Sequence, residues 1–436
     1  MKKNAVSGLK LTFVVIAVIV LPSFYALVMV KAQLIDPSEW TKLSPTGPSR
    51  IYQPTWSPDA TEIVYAGGPN LNLWKMNADG TNIRQLDTVS ECDHPDVSPD
   101  GSRIAFYRMY RLAIMNYDGT GWHYITPSSE EWHAPSWSPD GNRIVAQKGG
   151  SHPQIFVINS DGTNPVQLTF PGQSGSWGNY YPCWSPDGTK IVYQGRDAPQ
   201  EPKNYDIWVM DSNGQNQRRL TNDGRSYAPK WSPDGSKIIF ARADLGQDIN
   251  APELGHIFII NADGTNVTQL TDSNGWESLP EISPDGLWVV FDHRVRADGN
   301  HIMYKMRMPA FATINIDPDT LNLKSNGKFV TAYIELPEGY DVADIALFTV
   351  QLEGIPAITD PQYGFVTDPT SYIIDHDGDG ILERIVKFDR ATVRDALTGI
   401  IDYEEGVKFY DLTLTVKGEV AGTPFEGSDT ITVIKK

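Results

Sequence analysis

The residues best suited to chemistry lie near the end of the chain, in "DHDGDGILE", Asp375–Glu383. Asp375, Asp377 and Asp379 occupy alternate positions, and Gly380 lets the chain fold back on itself. Three carboxylates this close repel one another, and a hard cation removes that repulsion. The Ile381 carbonyl and Glu383 follow where a calcium loop places its next two ligands. The expected metal is therefore calcium, held by Asp375, Asp377, Asp379, Ile381 and Glu383.

The loop resembles the first part of an EF-hand. It departs at the twelfth position, which is Val386 instead of Glu, and its flanks "SYII" and "RIVKF" read as strands. A calcium loop on a β scaffold is expected, with an acidic hairpin turn as the alternative.

A second set of candidates is spread through the first three hundred residues. Tyr52, Asp93, His94, Trp132, His133, Tyr180, Tyr181, Tyr227 and Trp276 each stand just before a repeated motif. Aromatic rings beside charged groups suit a peptide, protein or sugar ligand. His152, His256, His293 and His301 lie in the longer connections, but no HxH or HxxxH spacing marks them as a metal site. Nucleophilic catalysis has little support. "GQSGS" (Gly172–Ser176) fails the G-x-S-x-G pattern, and no hydrolase half follows it.

The motif that sets these residues in register is Ser-Pro-Asp-Gly. It begins at Ser57, Ser98, Ser138, Ser185, Ser232 and Ser283, with Ala60 replacing Gly in the first copy. Pro presets the second turn position and Gly accepts a left-handed backbone. Short apolar runs flank the turn. A third run leads to a second turn, "DGTN" or a variant, and then to "QLT". Each copy reads as four antiparallel strands with two tight turns. Four strands every 40–50 residues is the mark of a propeller blade. Trp56, Trp137, Trp184 and Trp231 are expected to pack between blades. The sixth copy lacks a fourth strand after Met308. "WTKLS", Trp40–Ser44, precedes the first copy and is expected to close the ring.

Both tight turns fall at one end of each blade. The other end carries connections of unequal length: Gln194–Asp206, Ala241–His256 and Asp292–His301. Uneven loops on a rigid scaffold commonly carry binding, so the candidate residues are expected on this face.

The fold expected is all-β: a six-bladed propeller of four-stranded blades over residues 39–308, then a β-sandwich over 311–436. "ATINID", "FVTAYIEL", "ALFTVQLEG", "RIVKFD", "YDLTLTVKG" and "DTITVI" are its strands, and "DRATVRDAL" (Asp389–Leu397) a short helix. This module is similar to small C-terminal modules of secreted microbial proteins.

Formal net charge is −18, and residues 311–436 hold 22 acidic against 10 basic residues. That balance argues against nucleic acid as partner. Residues 1–32 carry four Lys and an apolar run, Leu11–Val30. They read as either a cleaved signal peptide or a retained membrane anchor, so the body is expected to be exported, to the periplasm, the exterior or the cell surface. Cys92 and Cys183 are two repeats apart and are expected to be free thiols.

The frame "WSPDG…DGTN..QLT" resembles the propeller repeat of TolB and related periplasmic and secreted proteins. The same repeat type occurs in prolyl-oligopeptidase-like and oligogalacturonate lyase propellers. The resemblance covers about residues 40–308 and implies the fold. TolB carries a separate domain before its propeller; here the closing strand follows the leader at once. The leading expectation for function is a non-enzymatic, exported protein that binds a protein, peptide or glycan of the cell envelope. Two alternatives stand beside it: a metal-assisted polysaccharide lyase or hydrolase, and a structural envelope protein anchored by its C-terminal domain.

Overall fold

The computed structural model describes residues 37–43, 51–86, 90–172, 177–196, 204–244, 254–295, 301–325, 327–337, 340–363, 366, 368, 372–401 and 408–434. The leader, residues 1–32, lies outside them.

Six antiparallel blades stand in chain order. Blade 1 is Ile51–Trp56, Glu62–Gly67, Asn72–Asn77 and Arg84–Gln85. Blades 2 to 5 repeat this pattern from Cys92, Trp132, Gly178 and Ser226. Blade 6 has Gly275–Ile282, Trp288–Val295 and His301–Arg307. Its fourth strand comes from the other end of the chain: Thr41 pairs with Lys305 and Lys42 with Tyr304.

The clasp reproduces the packing of an ordinary fourth strand. Gly119 of blade 2 has φ +94°, and an added Cβ would meet the Leu86 carbonyl oxygen of blade 1 at 2.1 Å. Gly80 of blade 1 stands in the same relation to Leu43 of the clasp, at 2.5 Å. Leu43 thus does for blade 6 what Leu86 does for blade 1. Trp40 is buried against Phe291, with ring centroids 5.0 Å apart.

The repeat motif is a hydrogen-bonded device. Ser57 Oγ donates to Asp59 Oδ1 at 2.6 Å and accepts the Glu62 N–H at 2.9 Å. The Thr of "QLT" is used alike in successive blades. Thr126, Thr169, Thr221 and Thr271 each accept a backbone N–H near the start of the third strand, from Leu112, Ile155, Ile207 and Ile257, at 2.8–3.0 Å. Trp56, Trp137, Trp184 and Trp231 are buried, each clustered with residues of the preceding blade.

The C-terminal part is a sandwich of two sheets around one core. Thr313–Asp317, Phe329–Glu335, Glu383–Asp389 and Ile373–Ile374 form one sheet. The long hairpin Phe409–Val420 and Thr423–Ile434 centres the other. Ile316, Val330, Phe388, Val416, Phe425 and Val433 fill the space between. Helix α1, Arg390–Ile400, is capped by Asp389, whose side chain accepts the Thr392 N–H. Neither Cys92 nor Cys183 is in a disulfide.

Candidate functional site

Every blade begins with the strand that lines the central axis, and every such strand carries a proline: Pro54, Pro95, Pro135, Pro182, Pro229 and Pro280. An inner strand has an unpaired edge, so the missing N–H removes no ladder bond. The residue before each proline is left-handed. Gln53, His94, Ala134, Tyr181, Ala228 and Leu279 have φ of 47–52°, each inside a register shift with the second strand. Six bulges therefore turn six side chains toward one point. Together with the prolines they wall a cavity of about 60 Å³, room for a few waters or the tip of one side chain.

Lys230 brings charge to the lining of the cavity. The residues after the prolines are Thr55, Asp96, Ser136, Cys183, Lys230 and Glu281. Lys230 Nζ lies 3.0 Å from Glu281 Oε2 and 3.7 Å from Asp96 Oδ1. Glu281 also accepts from Thr55 Oγ1 at 3.0 Å, and Asp96 from the Trp137 N–H at 2.7 Å. Burial pushes the Asp96 carboxyl up to about 6, though Lys230 pulls it down. The lysine is held well above its ordinary range by the two carboxylates, against the cost of burial.

Around the mouth the expected residues fall into groups. His94 Nδ1 pairs with Asp93 Oδ1 at 2.6 Å, and His94 Nε2 with the Gln53 amide at 2.9 Å. The His94 ring stands 5.4 Å from Tyr181. His133 stacks on Tyr107 at 4.3 Å, and burial lowers its pKa. On the opposite rim the Tyr52 ring is 4.4 Å from His301, which lies 6.1 Å from Trp276. Tyr180 faces Tyr205 instead, at 5.6 Å.

Two expected residues are not on this surface. Trp132 is fully buried between blades 2 and 3, its indole N–H on Glu130 Oε2. Strand alternation turns it inward where it turns His133 outward. Tyr227 is also buried, and its hydroxyl takes the Trp276 indole N–H.

Sequence reasoning treated the histidines singly, whereas three of them are oriented by buried acids. Glu277, fully buried, accepts from His256 Nδ1 at 2.9 Å and His293 Nδ1 at 2.8 Å, and from Thr271 and Ser273. Burial works against the Glu277 charge, but these donors hold its pKa below the usual value. Asp292 holds His301 Nδ1 at 2.6 Å. The signal was available in the frame: Glu277 and Asp292 are charges at strand positions where apolar residues would be ordinary.

In the tail, Asp375, Asp377 and Asp379 are exposed, with one ligand atom from each lying within 4.8 Å of the others. They form the one group of three or more metal-type side chains this close among the described residues. Their loop is shaped by its own backbone: Asp375 accepts the Gly378 N–H at 2.7 Å and Asp379 the Ile381 N–H at 2.8 Å. Ile381 is exposed. Glu383 stands apart from the three. It is 5% exposed, and its Oε2 is committed to the His376 N–H at 2.6 Å. Sequence reasoning missed Glu335, which pairs with Glu383 across the sheet. Burial raises the Glu335 pKa, and Asp379, Asp377 and Glu383 raise it further.

Comparison with known proteins agrees with the ring. Residues 107–248 and 182–317 match the model of the TolB beta propeller domain. The Tol-Pal system protein TolB of Roseobacter denitrificans is 44% identical over 63 residues, 14% of each chain, so this chain spans about one-seventh of that relative. Among solved structures, a putative TolB from Agrobacterium tumefaciens aligns at 23% identity and TM-score 0.46, over 60% of this chain and 92% of the other. An oligogalacturonate lyase in complex with manganese aligns at 12% identity and TM-score 0.43, over 63% and 92%.

Proposed function

Taking the ring as a TolB-like β-propeller, we propose that the chain is an exported, non-catalytic binding protein. Its loop face would hold a protein, peptide or glycan of the cell envelope. The observation that supports this reading is the axial cavity. Its wall is mostly proline, alanine and leucine, with Gln53, His94, Tyr181 and Lys230 as the polar side chains lining it. A small concave site with apolar walls and a few polar groups suits capture of a protruding side chain. The leader would direct export, and the acidic tail would carry calcium on Asp375, Asp377 and Asp379, with the Ile381 carbonyl and the remaining Glu383 oxygen beside them.

Capture from the envelope fraction tests this, with the full chain as bait beside a His94→Ala/Tyr181→Ala variant. The partner should be lost from the variant while its melting curve stays in place. Equal capture by both would reject the cavity as the site.

A second reading has one observation in its favour. His256, His293 and His301 are oriented through Nδ1 by buried carboxylates, an arrangement common behind metal-binding imidazoles. A stoichiometric transition metal in purified protein, lost on His256→Ala, would favour a metal-assisted lyase or hydrolase.

A further inference from the structure

The connection between second and third strands is two residues long in blade 2, against four to eleven in the other blades. The rim of the loop face is therefore lowest there. The two residues are Met109 and Tyr110, with φ of 46° and 66°. That is a type I′ turn, which strongly prefers Asn-Gly because both positions are left-handed. A methionine and a tyrosine are strained in it. Neither offsets the strain by burial, being 47% and 59% exposed.

The flanking pair adds a second cost. Arg108 and Arg111 stand directly opposite one another across the hairpin. Like charges so placed are unfavourable. Their hydrogen bonds go to neutral oxygens: Arg108 to the Ser90 carbonyl and the Tyr124 hydroxyl, Arg111 to the Thr126 carbonyl. Among the described residues no carboxylate pairs with either. Among the described residues these two cations meet ring faces and no acid, Arg108 over Trp122 at 4.9 Å and Arg111 over Tyr124 at 3.6 Å, in a chain of net charge −18.

A line of rings joins this turn to the axial cavity. Tyr181 leads to His94 at 5.4 Å, His94 to Tyr107 at 6.4 Å, and Tyr107 to His133 at 4.3 Å. Tyr110 closes the line, 6.3 Å from Tyr107 and 6.1 Å from His133.

We propose that the Met109–Tyr110 turn is a docking platform for an extended, acidic peptide segment, which runs from the axial cavity along these rings and leaves over blade 2. The peptide carries an aspartate or glutamate over Arg108 and Arg111 and an apolar or aromatic side chain against Met109 and Tyr110. The charge complementarity fixes the acid. The exposed thioether, which adapts to apolar side chains, favours a peptide over an acidic glycan. This inference rests on the loop-face reading above.

The test is to replace Met109-Tyr110 by Asn-Gly in the full chain. Random dodecapeptides displayed on phage are selected on the native protein, and uronic-acid oligosaccharides are assayed beside them. Selected peptides should contain an acidic and an aromatic residue. The M109N/Y110G variant should bind them at least tenfold more weakly while melting at the same or a higher temperature, because Asn-Gly suits the turn. Changing the peptide's acid to its amide should cost a similar factor. Three results overturn the proposal: no peptide enriched, native-strength peptide binding by the variant, or loss of oligosaccharide binding alone. If His94→Ala/Tyr181→Ala abolishes binding while the Asn-Gly variant keeps it, only the platform fails. If both variants keep it, the loop-face reading falls too.

Discussion

Lys230 and Asp96 meet on the propeller axis, joining blade 5 to blade 2 across the ring, with Glu281 of blade 6 on the same ammonium. Removing the cation leaves two carboxylates facing each other in a confined space. Lys230→Met should destabilise the ring by about 2–3 kcal/mol, below the usual loss for a buried pair because the lysine side chain is 30% exposed. Melting of the variant should recover on adding Asp96→Asn and Glu281→Gln. A K230M protein as stable as the native one would show that the axis contributes no bracing.

The pH dependence of stability should have two arms. Asp96 and Asp206 are both raised to about 6, mainly by burial. A raised carboxyl binds its proton more tightly when folded, so its contribution is full below about 4 and is lost as pH rises toward 6. The turn aspartates act in the opposite sense. Asp100 and Asp187 are lowered to about 2 by their Ser98 and Ser185 partners and nearby backbone N–H groups. Their contribution is present above about 4 and is lost as pH falls toward 2. Denaturant titrations from pH 2 to 7 should therefore show a steep acid limb. Changing Asp100 and Asp187 to Asn should flatten that limb, and Asp96→Asn should flatten the decline from pH 4 to 6. An unchanged acid limb in the turn variants would remove the turns as its cause.

The ring was legible because Ser-Pro-Asp-Gly is a local device: Ser57, Asp59 and Glu62 make their bonds within five residues. The clasp was legible by subtraction, a strand missing in one place and spare in another. The axis was less so. Lys230 and Asp96 are 134 positions apart, and no local rule pairs them. A signal was nevertheless present: six prolines recur in frame, each followed by a different residue, Thr, Asp, Ser, Cys, Lys or Glu. Trp132 was misplaced because the residues before each proline alternate between blade interior and mouth, and type alone does not say which is which. Glu335 was missed because strand pairing, not spacing, sets it opposite Glu383.

Trp40 offers the cleanest test of closure. It is 8% exposed and packs on Phe291, His293 and Tyr304. Trp40→Ala should cost about 3–5 kcal/mol, the range for deleting a buried tryptophan. Deleting Glu39–Leu43 should cost more and expose the edge of His301–Arg307 to self-association, visible by light scattering. A deletion that melts normally as a monomer would mean the ring does not depend on its clasp.

Calcium in the tail predicts a response that the acidic turn alone does not. At about ten times Kd, one bound ion should stabilise the tail by roughly 1.4 kcal/mol, which chelator would remove. Asp377→Ala should abolish that response. Glu335 supplies a finer criterion. Its carboxyl is raised by burial and then by Asp379, Asp377 and Glu383, so without a cation its contribution to stability is lost as pH rises through its folded value. A cation among those acids opposes the shift and should flatten this decline. Glu335→Gln removes one repelling charge, so in chelator it should melt higher than the native chain and with less pH dependence. The measurement is calorimetry of the full chain in millimolar calcium and in chelator, at pH 5 and 7. Identical tail transitions in both would leave Asp375, Asp377 and Asp379 as the acidic corner of a hairpin.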